Sequence, residues 1–111
     1  MYVTKALTTF LCLASVQGYV ITIFDGKDCK GVSKRVNVWD NSCRDTNVIN
    51  TNSFRVEKYG RGHQVADFYP ANRCAFEKII SLAADGGSGT FKQGRCLNLS
   101  KPARAFGSRG Q

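Results

Sequence analysis

The chain has no Cys-x-x-Cys pair and a single histidine, His63. A structural zinc site needs clustered thiolates or imidazoles, so a metal-held fold is excluded and no cofactor is expected. No apolar stretch reaches the ~20 residues that a membrane-spanning helix needs. No Gly-Lys-Ser/Thr follows the glycines of Gly86-Gly87-Ser88-Gly89-Thr90, which rules out a P-loop. His63 and Asp67 lie four residues apart in an extended run, some 13 Å at ~3.3 Å per residue, too far for a hydrogen bond. No catalytic set assembles on spacing, and the chain is expected not to be an enzyme. Acid is scarce too: eight Asp and Glu face 16 Lys and Arg, for a formal charge of +8. That surplus favours acidic surfaces. Without the basic, aromatic motif of a nucleic-acid module, no nucleic-acid partner is expected.

What is present begins with Met1 to Gly18. One cation, Lys5, precedes the apolar segment Ala6 to Ala14, and small or tolerated residues follow. This reads as a secretory signal peptide over residues 1–18, leaving one domain over 19–111 that is secreted to an extracellular, oxidising compartment. Of five cysteines, Cys12 leaves with the signal. The remaining four, Cys29, Cys43, Cys74 and Cys96, read as two disulfides. Among three connectivities the first choice is Cys29–Cys43 with Cys74–Cys96, which keeps each bridge within one repeat.

A repeat is visible because Phe24 and Tyr69 each stand five positions before a cysteine. Tyr19 to Phe24 is β-branched and aromatic on both faces, hence a central strand. Asp25 to Gly31 is a folded hairpin. Val32, Val36 and Val38 then share one face of a half-buried strand that ends at Asp40-Asn41-Ser42-Cys43. Arg44 to Asn52 is a crossing loop anchored by Val48 and Ile49. Ser53 to Tyr59 alternates again, with Phe54 and Val56 inward, and Gly60-Arg61-Gly62 divides the halves at about 19–60 and 61–111. His63 to Tyr69 is extended. Residues 75–84 fit a helix or a strand, and the repeat favours the strand. Asp85 to Thr90 is a flexible loop. Phe91-Lys92 and Cys96 to Leu99 are short strands, Ala103 to Phe106 a last edge strand, and Gly107 to Gln111 a frayed tail. Asn98-Leu99-Ser100 is a glycosylation sequon.

These residues resemble the Greek-key motif of the βγ-crystallins. Phe24 stands at the motif's first aromatic, Cys29 replaces its second, Gly31 is its glycine, and Asn52-Ser53-Phe54-Arg55-Val56 is similar to its last-strand run. In the second copy Tyr69 and Cys74 match, whereas Phe76 occupies the glycine position and Ala103 roughly that of the serine. The resemblance implies an all-β, disulfide-linked Greek-key β-sandwich of two repeated motifs, in which Phe24, Gly31, Ser53 and Tyr69 are structural. Ser53 would hydrogen-bond back to the first hairpin. Many members of that family bind calcium through paired acidic or amide residues followed by a hydroxyl pair; Asp40-Asn41-Ser42 only begins to resemble this, since Arg44 and Asp45 stand at the hydroxyl positions, so no calcium site is expected.

Two-motif domains of this kind include a microbial metalloproteinase inhibitor and a killer toxin, and small fungal secreted effectors look similar. The expectation is a monomeric virulence effector that binds and inhibits an extracellular host protein, with an acidic cysteine protease the favoured target. The candidate binding loop is Gly86, Gly87, Ser88, Gly89 and Thr90, with Asp25 to Lys30 beside it. The alternative is a cationic antimicrobial or killer toxin acting on anionic membranes.

Overall fold

Strand placement follows the alternation of side chains. In a computed structural model that describes residues 17–110, the run from Tyr19 lies within β1 (Gln17–Phe24). Tyr19, Ile21 and Ile23 point into the core and are fully buried. β2 (Ser33–Trp39) pairs antiparallel with one side of β1. Two further strands come next in the chain, β3 (Ser42–Arg44) and β4 (Thr51–Lys58). β4 pairs with the other side of β1, so β1 is internal, in keeping with its two apolar faces. β5 (Gln64–Tyr69) is buried at every residue, and β6 (Ile80–Ala83) pairs with it. The last strands are β7 (Cys96–Ala103) and β8 (Ala105–Gly110). The two antiparallel sheets run β2-β1-β4-β7 and β3-β8-β5-β6.

The sheets pack face to face as a small sandwich. Phe54 of β4 meets Phe68 of β5 edge-on, with ring centroids 4.8 Å apart, and Phe68 meets Phe106 of β8 in the same way at 5.1 Å. Edge-to-face contact sets the positive rim of one ring on the negative face of the other. Tyr19 adds a polar tie, its hydroxyl donating to Gly107 O at 2.9 Å across the core. Phe91 is fully buried against the same cluster, 5.7 Å from the Tyr19 ring.

The halves are built alike. In each, the first, second and fourth strands share a sheet, while the third crosses to the sheet of the other half: β3 pairs with β8, and β7 with β4. The disulfides follow the crossing. They join Cys29 to Cys96 and Cys43 to Cys74. The expected pairs, Cys29–Cys43 and Cys74–Cys96, are therefore corrected. Cys96 opens β7 beside the first hairpin, and Cys43 sits in β3 opposite Gly107, next to the second hairpin. Each bridge joins the hairpin of one half to the strand of the other half that crosses beside it, and thereby links the two halves.

Other expectations change for related reasons. Residues 75–84 contain a strand only from Ile80, with no helix. Phe91-Lys92 is not a strand, because Phe91 fills the core. The expected edge strand Ala103 to Phe106 is split between the end of β7 and the start of β8, which is internal between β3 and β5; of the residues read as a frayed tail, Gly107 to Gly110 lie in β8, with Gly107 and Ser108 buried, and Gln111 lies outside the described residues. Gly107 packs beside the second disulfide: a Cβ there would lie in ordinary contact, 3.4 Å from the Tyr69 ring and 3.5 Å from the Cys74 sulfur. Val32 precedes β2 and is 62% exposed rather than inward. Val48 and Ile49 do anchor the connection between β3 and β4. The expected signal peptide lies outside the described residues over 1–16, and its last two residues, Gln17 and Gly18, begin β1.

Candidate functional site

Three surface features come from the local chemistry of the two halves: the first hairpin, the second hairpin and the loop from Asp85 to Phe91. In the first hairpin, Asp25 N–H donates to Val32 O at 3.0 Å and Gly26 N–H to Lys30 O at 3.1 Å. Gly31 has φ +91°, and a Cβ there would collide with Asp25 Oδ1, so glycine is required twice over. Ser53 is fully buried; its Oγ accepts from Cys29 N–H at 2.9 Å and donates to Gly26 O at 2.6 Å. The side chain thus ties β4 to the hairpin. Phe24 lies beneath the Arg55 guanidinium, 5.5 Å from the ring centroid. β7 closes the other flank. Lys27 Nζ donates to Leu99 O, and Asn98 exchanges two hydrogen bonds with Asp28, at 2.7 and 2.9 Å. The amide of the glycosylation sequon is therefore engaged in the folded chain.

The second half departs at two matched positions. Phe24 pairs with Ser53 and Tyr69 with Ala105, so the serine position falls on Ala105, not Ala103, and no hydroxyl stands there. Seven residues after Phe24 is Gly31, and seven after Tyr69 is Phe76. Both have positive φ, yet Phe76, at φ 64°, is a large residue that is 82% exposed. Phe76 lies in the run 75–84 that fits a helix or a strand by its apolar spacing, and that spacing does not show its outward placement. The signal was there, an aromatic standing where the first copy needs glycine. Tyr69 itself is buried beside the disulfide-bearing face.

The loop expected to be flexible is well held. Asp85 accepts from His63 N–H at 2.8 Å and Gly87 N–H at 2.9 Å, which keep its carboxyl below the ordinary range. Ser88 Oγ accepts from Thr90 N–H at 3.0 Å, Arg95 donates to Gly89 O at 2.9 Å, and Gly86, at φ +87°, lies against the Tyr59 ring. Gly86, Gly87, Gly89 and Thr90 are exposed on this braced turn, with Phe91 as its root in the core. Arg95 precedes Cys96, whose bridge reaches Cys29, so the loop and the first hairpin belong to one connected surface.

His63 and Asp67 are not brought together as a catalytic pair. His63 sits exposed at a turn, at φ 65°. Asp67 is 3% exposed on the outer face of β5, where it accepts from Arg109 Nε at 2.6 Å and Ser81 Oγ at 2.5 Å, with Lys78 Nζ at 3.5 Å. Burial pushes its carboxyl up, but the Arg109 and Ser81 hydrogen bonds and the two cations outweigh this and hold it below the usual range. The first half has a counterpart in Glu57, which accepts from Thr22 at 2.7 Å and Arg55 at 2.9 Å. These networks explain the carboxylates as structural.

A pH dependence follows. Because the folded-state pKa of Asp67 is depressed, its contribution is complete above the unfolded value of about 4 and is lost as pH falls through the folded value. The difference in melting temperature between wild type and Asp67→Asn should be widest near neutrality and shrink as the pH falls below about 4. A difference that stays constant through the acid range would contradict the paired assignment.

Among the described residues, no group of three or more His, Cys, Asp and Glu is placed to hold a metal ion, and no helix is long and apolar enough to cross a membrane. Comparisons of the chain with protein-family models, curated proteins and solved structures find no match.

Proposed function

We propose that the chain is a secreted, non-enzymatic effector built from two βγ-crystallin-like Greek-key units. It docks an extracellular host protein and inhibits it, with an acidic cysteine protease the favoured target. The observation that carries this reading is the bracing of the exposed loop 85–91. Asp85, Ser88 and Arg95 fix its backbone, and Phe91 roots it in the core. A turn already held in one shape loses little conformational entropy on docking, which is the property an inhibitory loop needs. The Cys29–Cys96 bridge attaches the neighbouring hairpin to the same surface. The matched crossing of β3 and β7 and the positive φ shared by Gly31 and Phe76 support the two-unit reading. The surplus of cations suits an acidic target, speeding encounter more than it deepens affinity.

The test uses the oxidised chain from Tyr19 as bait for host extracellular proteins. A captured protease should lose activity in proportion to the added domain. Replacing the exposed Gly89 and Thr90 with bulkier residues should abolish capture while the melting temperature stays near that of wild type. The alternative, a cationic membrane toxin, predicts leakage of anionic vesicles without any protein target. Such leakage, combined with a loop variant of full potency, would replace the inhibitor reading.

A further inference from the structure

Phe76 carries two costs that folding does not return. A bulky L-residue at φ 64° is a backbone outlier, because its Cβ crowds the neighbouring carbonyl. Its ring is also 82% exposed, so it adds almost nothing to the core. The matching position of the first half is Gly31, the residue this conformation favours. Strain of this kind, where stability gives no reason for it, marks a contact surface.

We propose that the second hairpin is a docking tip, with Phe76 as the anchor that enters an apolar pocket rimmed by carboxylates on a protein partner. This deepens the reading of the chain as a binding protein and rests on it. The Arg73 guanidinium lies over the Phe76 ring, 5.1 Å from its centroid, which joins an aromatic anchor to a cation in one unit. Aromatic and arginine side chains are the groups that most often dominate the energy of an interface. The tip is held before any partner arrives. Cys74 is bridged to Cys43, and Ile79 N–H donates to Phe68 O at 2.7 Å. Arg104 N–H donates to Tyr69 O at 2.9 Å, which fixes the base of the hairpin against the turn between β7 and β8. Glu77 is the one acid between Pro70 and Ile79, within a chain of formal charge +8. That balance selects an acidic partner surface. A lipid bilayer fits less well, since interfacial binding needs an apolar face, and here one ring projects with only the partly exposed Ile80 near it in sequence.

The test is retention of the full oxidised chain on immobilised short peptides. In one set a Leu, Phe or Trp is flanked by Asp and Glu, and in a control set the flanks are Lys. Wild type should bind the acidic set and not the basic one. Phe76→Gly should lose about 30-fold in affinity, the loss expected for a central anchor. It should also melt at the same or a higher temperature, because glycine relieves the backbone. Arg73→Glu should weaken binding to the acidic set and leave the melting temperature unchanged. Full retention of Phe76→Gly on the acidic peptides would overturn the proposal, as would a lower melting temperature for that variant. Failure of wild type to bind any acidic peptide would also overturn it. So would Phe76-dependent sedimentation with phosphatidylserine vesicles combined with indifference to the peptides. The broader binding reading would survive each of these results if host capture still depended on the 85–91 loop.

Discussion

Replacing Cys29 and Cys96 together by serine should lower the stability of the oxidised chain by about 4 kcal/mol. The bridge spans 67 residues of sequence, and the Cys43–Cys74 bridge, with a separation of 31, lies inside that span. In the chain-entropy account a cross-link acts by removing conformations from the unfolded chain, and its effect grows only with the logarithm of loop length. Nesting narrows the difference further, because the inner bridge already shortens the outer loop. Removing Cys43 and Cys74 should therefore cost nearly as much, again about 4 kcal/mol. The two losses should also share a signature in denaturant. The slope of stability against urea should rise in each variant, since a less constrained unfolded chain exposes more surface. Costs below about 1 kcal/mol for both variants would mean that the bridges do not constrain the unfolded chain as the crossing predicts.

The second large effect is expected at Phe54. Phe54→Ala should destabilise the protein by about 3–5 kcal/mol, measured as a lower urea midpoint. Phe54 is fully buried on β4 and meets the Phe68 ring edge-on across the sandwich, with Phe91 a further neighbour at 6.1 Å. Truncation removes the transfer energy of the ring and leaves a void that rings from both sheets cannot readily fill. Loss of the edge-to-face contact adds about 0.5–1.5 kcal/mol to area burial alone, which places the site toward the upper part of the range. Phe76→Ala is the natural control. It removes the same side chain from an exposed position and should change stability little. Equal losses for the two variants would contradict the placement of the rings.

Much of the sandwich is legible in the sequence where alternation is local. Tyr19 to Phe24 carries apolar residues on both faces and becomes the internal β1, and Phe54 and Val56 point inward as their spacing requires. Gly60-Arg61-Gly62, which breaks the alternation, falls between β4 and β5. What was not legible depends on partners far away in sequence. Nothing near Cys43 or Cys96 records that its strand pairs with the opposite half, so the choice of local bridges failed. Gly107 and Ser108 read as a loose terminus because small residues carry no pattern. Their burial appears only in the fold, where the Tyr69 ring and the Cys74 sulfur lie beside Gly107 and Gln64 donates to the Ser108 hydroxyl at 2.6 Å. Phe91 was read as part of a strand, and its role as a core plug appears only once both sheets surround it. The glycines of the candidate loop are visible in composition, while the bracing of their backbone by Asp85 and Arg95 needs the fold.

The crossing of the two halves is the claim on which the rest depends, and the disulfide map tests it most directly. The protein should be digested without reduction, under acid conditions that prevent exchange, and the linked peptides identified by mass. The account predicts one pair joining Cys29 to Cys96, another joining Cys43 to Cys74, and no free thiol among these four. A peptide linking Cys29 to Cys43, or Cys74 to Cys96, would contradict it.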